Sequence, residues 1–287
     1  MAEDGYECML ALESHGIPTT YEESDLIATS GEALWAFGDE EIRGLLSKGV
    51  LLDAVAAKVL FDRGFGEAIG IRSIQPPVFL DELGALSAEE FFNPDFGGAE
   101  KKFLTLTLPN IGRRPNFSRI EPAADAQIVS RAVDPDAQRR HVCLYAYENA
   151  FGGRVAVYAF DLASAFGAAF PHTFRKEQLL GVLRWLGRGR LPVAVEGDGV
   201  YPLAFRKDCG DTVLLGLFNL SLDPWTFVQF ELDTPRTPQR CDRLLPSGRW
   251  RRDEQTEIRR DGDVLKVQRR GPVPYDQPLM LSLGDWR

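Results

Sequence analysis

Two acidic residues near the ends of a predicted β-hairpin have side chains of the kind that a glycosidase active site needs. Glu148 lies in a glycine-rich turn, and Asp161 follows an apolar strand. Enzymes that hydrolyse glycosidic bonds use two carboxyl groups about 5–10 Å apart. Glu148 and Asp161 are therefore the candidate catalytic residues. The structural alternatives are that Glu148 is an ordinary polar residue of a turn and that Asp161 caps the next segment. Glu196 and Asp198, between glycines, are more typical of a solvated turn.

Three tryptophans near predicted turns have rings that could stack on a sugar. Trp225 and Trp250 are the candidate substrate-binding residues, and Trp286 is a third aromatic of the same kind. In a β-sandwich such residues more often belong to the core or cover a sheet edge. Both interpretations stay open from the sequence.

The motifs of other common chemistries are missing from the sequence. No GxSxG elbow, HExxH, Walker loop or GxGxxG occurs, and the four cysteines, at positions 8, 143, 209 and 241, form no CxxC pair. Cys8 and His15 share a predicted helix but lie about 10 Å apart along it, too far for a nucleophile and its base. Neither strand-to-helix corner, at Thr29–Gly31 or Leu52–Ala54, carries an amidotransferase cysteine. We predict free thiols, no metal and no cofactor.

Composition excludes several classes of partner. The 287 residues carry a formal net charge of −9, and an acidic surface repels nucleic-acid phosphates. No apolar run approaches the roughly 20 residues of a membrane helix. The acidic start, Met1–Gly5, lacks the pattern of a signal peptide. We therefore expect a cytoplasmic protein that binds neither nucleic acid nor membranes.

The first 71 residues alternate between helices and short apolar strands. Helices are predicted over 5–15, from Asp39 and from Ala54, with strands at 26–30 and 50–52, and glycines close the corners. This order favours a parallel sheet covered by helices. A doubly wound sheet normally begins with a strand, so the leading helix predicts a chain that starts partway through a larger domain.

The remaining sequence is rich in β-structure. Strand patterns at 103–108 and 126–133 precede a hairpin of 141–147 and 154–160 and a helix over 174–187, and short strands at regular spacing fill 191–287. The predicted fold is therefore α/β plus all-β. A flavodoxin-like domain over 1–192, with a β-rich insertion at 73–150, precedes an antiparallel β-sandwich over 193–287.

Five stretches of the chain, taken together, resemble the sequence of a known protein family. They are DEEIRGLLSKGVLLDAVAAKVLFDRGFGEAIGI (39–71), GGRVAVYAFDL (152–162), LLGVLRWLGRGRLP (179–192), VLLGLFNLSLDPW (213–225) and LLPSGRW (244–250). The chain resembles the amidotransferase-like domain and the small C-terminal β-domain of family 42-type β-galactosidases and related putative glycoside hydrolases. In that family the catalytic glutamates lie on a barrel that would precede residue 1, so no catalytic residue is carried over. The resemblance implies a domain that aids assembly and walls the active site.

The main hypothesis from the sequence is a non-catalytic accessory or assembly region of a glycoside-hydrolase-like protein that acts on carbohydrates. Its expected partners are a catalytic barrel or further copies of the chain, and a carbohydrate. A free-standing carbohydrate-binding module is one alternative. An independent glycosidase that uses loop carboxylates is another.

Overall fold

The computed structural model describes residues 9, 11–20, 24–79, 86–96, 102–105, 116–162, 172–197 and 202–286. The chain forms two compact units, one of residues 1–11 and 22–189 and the other of residues 12–21 and 190–287. Of the predicted first helix, 5–15, residues 9 and 11–13 are helical, while residues 5–8 and 10 lie outside the described part.

The first unit combines eleven described strands with three described α-helices. The strands are β1 (Leu26–Thr29), β2 (Gly49–Leu52), β3 (Ile71–Ile74), β4 (Val78–Phe79), β5 (Ala88–Phe91), β6 (Lys102–Thr105), β7 (Asn116–Phe117), β8 (Ile120–Pro122), β9 (Gln127–Val133), β10 (Arg139–Glu148) and β11 (Arg154–Tyr158). The α-helices are α1 (Asp39–Leu46), α2 (Ala54–Leu60) and α3 (Thr173–Leu186). Short 3-10 helices span Ala33–Ala36, Glu67–Ile69 and Pro94–Phe96, and a π-turn spans Phe61–Phe65.

A seven-stranded mixed sheet forms the centre of the first unit, in the order β1-β2-β11-β10-β9-β5-β6. β1, β2 and β11 run parallel, and the other four strands are antiparallel. All four residues of β2 are buried, as expected of a parallel strand covered on both faces. This confirms the predicted parallel unit and the predicted hairpin, which is β10 and β11.

Strand β3 departs from the predicted alternation. It pairs with β8 in a separate two-stranded sheet, while β11 lies beside β2. A buried parallel strand needs a nearly continuous apolar run, whereas Arg72 and Ser73 in β3 are exposed. The stretch treated as an insertion, 73–150, supplies β5, β6, β9 and β10 of the main sheet.

Helix α3 brings a buried charge to this sheet. Arg175 forms an ion pair with Glu89 of β5, and both side chains are fully buried. Gln178 and Ser130 complete the contacts, since Arg175 donates to Gln178 and the Ser130 hydroxyl donates to Glu89. Burial opposes the charge on Arg175, yet Glu89 holds its pKa above its usual value. The two opposite charges can both be buried because each one neutralises the other and fills its hydrogen-bonding capacity.

The second unit is a β-sandwich. Its strands are β12 (Val193–Gly197), β13 (Pro202–Cys209), β14 (Thr212–Asn219), β15 (Trp225–Asp233), β16 (Pro238–Leu244), β17 (Trp250–Arg252), β18 (Thr256–Asp261), β19 (Val264–Val273) and β20 (Leu279–Trp286). They form a four-stranded sheet, β12-β15-β19-β18, and a five-stranded sheet, β13-β14-β20-β16-β17, in which all pairs are antiparallel. Residues 12–21 join this unit, where Val195 N donates to Gly16 O at 3.2 Å.

Apolar side chains from both sheets fill the interior of the sandwich. Phe230 and Val267 of one sheet and Leu215 and Leu281 of the other are all fully buried in one cluster. Shared burial of the two inner faces is what holds such sheets together. The predicted class, an α/β unit followed by an antiparallel β-sandwich, is thereby confirmed.

The turn between β10 and β11 passes so close to the end of α1 that it requires a glycine. A Cβ on Gly153 would lie 2.0 Å from Leu46 O and 2.7 Å from Lys48 O. We expect Gly153→Ala to lower the free energy of unfolding of the first unit by about 1–3 kcal/mol, because the backbone must move apart. Gly44→Ala, with open space around its Cβ in α1, is the matched control and should be neutral or stabilising. Urea denaturation followed by circular dichroism measures both, and equal midpoints would contradict the close approach.

Candidate functional site at the carboxyl ends of the parallel strands

The parallel strands β1, β2 and β11 end at one edge of the main sheet. Open α/β sheets bind their ligands outside the carboxyl ends of such strands, so this edge is the first place to look for a site. The residues that follow the three strands are Ser30 and Gly31, then Asp53, and then Asp161 and Leu162. Two carboxylates therefore come from strand ends at this edge.

Asp53 ties the three strand ends together. It stands between β2 and α2, where its side chain caps the helix by accepting a hydrogen bond from Ala56 N at 2.8 Å. The same carboxylate accepts from Gly31 N at 3.2 and 3.3 Å and from Leu162 N at 3.3 Å. Its relative exposure is 0%. The predicted strand-to-helix corner exists, and an aspartate occupies it.

Burial and hydrogen bonding act in opposite directions on Asp53. Removal from water disfavours its charge and raises its pKa from 3.8 to about 7, and nearby Asp161 adds to the rise. The N–H groups of Ala56, Gly31 and Leu162 lower the pKa by a smaller amount. A carboxyl with a pKa near neutrality suits general acid–base catalysis, but only within reach of a substrate. Asp53 is buried, and both of its oxygens accept hydrogen bonds from backbone N–H groups. Its role is therefore structural, because it holds the three strand ends together.

Asp161 lies half-buried at the same edge. Its backbone N donates to Asn116 O at 3.0 Å, and Asn116 Nδ2 donates to its carboxylate at 3.4 Å. Sequence analysis missed its proximity to Asp53, although both residues follow apolar runs. That signal becomes informative only once β2 and β11 are known to be parallel neighbours.

The other catalytic candidate, Glu148, lies at the opposite end of β11. Its carboxylate is exposed and forms an ion pair with Arg154 Nε at 2.5 Å, where the two residues face each other across the hairpin. The four steps along β11 from Arg154 to Tyr158 advance the chain by about 13 Å before Asp161 is reached. Glu148 and Asp161 are therefore too far apart to form a glycosidase pair with each other.

The tryptophan candidates differ in accessibility. Trp225 is 1% exposed in the core of the sandwich, and its Nε1 donates to Ser221 Oγ at 3.0 Å, so its ring has no face free for a sugar. Trp250 of β17 is 44% exposed. Trp286 donates from Nε1 to Asp211 O at 2.9 Å, beside Arg236.

Other reactive groups form no second site in the described part of the chain. Burial raises the pKa of the Cys143 thiol well above its usual value and that of Cys241 to about 12, so neither is a thiolate at neutral pH. Cys209 is exposed, whereas Cys8 and Asp198 lie outside the described residues. Across the described ranges, no cluster of three or more histidine, cysteine, aspartate and glutamate side chains could hold a metal ion. None of the helices described there is long and apolar enough to cross a membrane.

Comparisons with known proteins give remote structural likenesses alone. No family model matches the chain, and no curated protein matches it. A β-galactosidase from Bacillus circulans sp. alkalophilus aligns with a TM-score of 0.46 and 12% identity over 85% of this chain and 30% of that one. A catalytic mutant of the GH42 β-galactosidase Gan42B from G. stearothermophilus aligns with a TM-score of 0.47 and 10% identity over 92% of this chain and 35% of that one. The chain thus spans about a third of the length of these structures, and TM-scores below 0.5 carry no argument about activity.

The pKa of Asp53 predicts how stability depends on pH. Because the folded pKa, about 7, exceeds the unfolded 3.8, the contribution of Asp53 is complete below about pH 4 and is lost as pH rises to about 7. The loss is at most about 4 kcal/mol, at 1.36 kcal/mol for each unit of pKa shift. Asp53→Asn, which cannot ionise, should flatten this part of the curve of unfolding free energy against pH.

Urea denaturation at a series of pH values measures that curve. Asp62→Asn is the matched control, since Asp62 is a partly exposed carboxylate paired with Lys58 just beyond the same helix. It should leave the slope between pH 4 and 7 as in the wild type. Parallel curves for the wild type and Asp53→Asn would show that Asp53 does not take up a proton on folding.

Proposed function

We propose that the chain is a non-catalytic accessory and assembly region of a glycoside-hydrolase-like protein of the β-galactosidase type. The observation that carries the proposal is an apolar patch on the sandwich, formed by Leu203, Phe218, Leu220 and Leu222. These side chains are between 37% and 92% exposed. Exposed apolar residues scattered singly are ordinary, whereas a cluster is typical of a protein–protein contact. The resemblance of 39–71 and 152–162 to an assembly domain supports the same interpretation.

The topology of the sandwich groups the residues of this patch. Leu203 of β13 and Phe218 of β14 are directly paired across the two strands. Leu220 and Leu222 follow in the loop after β14. Asn219, at the end of β14, donates from Nδ2 to Val273 O of β19 at 3.0 Å, which fixes the start of this loop.

Side-chain hydrogen bonds fix the backbone of the loop that carries Leu220 and Leu222. Buried Asn219 donates to Asp223 O at 2.8 Å and accepts from Ser221 N at 2.9 Å. The Ser221 hydroxyl bonds to Asn219 and accepts from Trp225 Nε1. Leu222 is 92% exposed even though its loop is fixed. A surface whose backbone is ordered before binding loses less entropy when a partner covers it.

Replacing Leu222 tests the assembly proposal. We expect the wild type to sediment as a dimer or larger species, and Leu222→Asp to shift it to the monomer, because a buried charge opposes association. Ser247→Asp adds the same charge to an exposed turn elsewhere in the sandwich and should leave the mass unchanged. Sedimentation velocity over a range of concentrations measures all three. A wild type that stays monomeric throughout would overturn self-assembly through this patch.

Carbohydrate binding is a second candidate function, favoured by the exposed ring of Trp250. The ring lies on β17, the last strand of the five-stranded sheet, where a sugar can reach it. Stacking of a sugar on an aromatic face would make Trp250→Ala lose binding on an oligosaccharide array, while Leu222→Asp should retain it. An array on which the wild type binds no glycan would remove this candidate without affecting the assembly proposal.

A further inference from the structure

A groove in the first unit concentrates positive charge, although the chain as a whole carries −9. It has a volume of about 530 Å³, which falls within the range of small-molecule sites. Four arginines line it, namely Arg72, Arg119, Arg131 and Arg140, and Glu121 is the one acidic residue among its lining side chains. These five side chains together have a formal charge of +3.

Within the described ranges, three of the four guanidinium groups form no ion pair, and two of these three form no hydrogen bond either. Arg140 forms an ion pair with Asp134, and Arg72 donates from Nε to Pro122 O at 3.0 Å. The guanidinium groups of Arg119 and Arg131 make no hydrogen bond or ion pair with any residue that the structure describes. Arg131 is also half-buried, and its cross-strand neighbour in the sheet is Glu90, whose carboxylate forms an ion pair with Arg139.

The composition of the groove suits a phosphate group attached to a small neutral body. Guanidinium groups bind oxyanions through paired N–H donors, and the charge of +2 that remains once Asp134 is counted against Arg140 favours a dianion over a single carboxylate. The walls between the arginines include Ile120, Ala126 and Ile128, which offer apolar contact to an uncharged portion. We propose that this groove binds a small phosphate monoester, with Arg119 and Arg131 as its principal ligands.

Calorimetric titration of the full chain at constant ionic strength tests the site. The probes are glucose 6-phosphate, inorganic phosphate, glucuronate and glucose. We expect saturable binding of glucose 6-phosphate, weaker binding of inorganic phosphate and glucuronate, and none of glucose. Added salt should weaken the binding, because the attraction is between charges.

Variants of the two unpaired arginines decide the assignment. Arg119→Met, at an exposed position, and Arg131→Met should each raise the Kd for glucose 6-phosphate at least tenfold, since each removes charge-assisted hydrogen bonds. Arg251→Met, an exposed arginine of β17, is the matched control and should leave the Kd unchanged. Circular dichroism checks that the variants fold. If Arg131→Met does not fold, Arg119→Met alone still tests the assignment.

Three results would overturn the proposal. The first is the absence of saturable binding of glucose 6-phosphate at millimolar concentration, and the second is an unchanged Kd in Arg119→Met. Glucuronate or inorganic phosphate that binds as tightly as glucose 6-phosphate is the third, because it would show that the groove does not select a phosphate monoester.

Discussion

The buried carboxylate of Asp53 is the constraint on which the parallel part of the first unit depends. Its two oxygens accept N–H groups that follow β1 and β11 and that open α2, so three elements distant in sequence share one acceptor. A buried carboxylate and unpaired backbone donors are each costly alone, and each satisfies the other here. The edge where an open α/β sheet would bind a ligand is therefore occupied, at its centre, by an internal structural contact.

A second buried charge organises the rest of the same unit. Glu89 and Arg175 come from β5 and α3, which are separated by more than 80 residues, and Ser130 of β9 joins them. An ion pair without exposure is satisfied in only one arrangement of its elements, so it contributes more to the choice of that arrangement than to stability. It links β5 and β9, two strands of the stretch that was predicted to be an insertion, to helix α3.

Sequence patterns predicted the elements well wherever burial imposes a period on the residues. The apolar run of β2, the alternating hairpin of β10 and β11 and most strands of the sandwich were found in this way. Within the predicted β-rich region 191–287, the sequence did not single out β12, β17 and β18, which all end their sheets, and the exposed polar residues of β17 and β18 show no apolar period. The diversion of β3 and the meeting of Asp53 with Asp161 depend on pairing between distant segments, which no local pattern contains. Trp225 is in the core because Gly197 leaves room for its ring, 2.6 Å from where a Cβ would lie.

The groups that the fold leaves unsatisfied are a better guide to partners here than the groups with catalytic chemistry. The carboxylates of Asp53 and Glu89 are engaged in internal hydrogen bonds and ion pairs, and that of Glu148 is paired with Arg154. By contrast, Leu222 is 92% exposed on an ordered loop, and the guanidinium groups of Arg119 and Arg131 line a groove without forming an ion pair with any residue that the structure describes. Apolar surface and charge left in this way are costs that a partner can relieve. The proposed docking patch in one unit and the proposed anion site in the other both start from these unsatisfied groups.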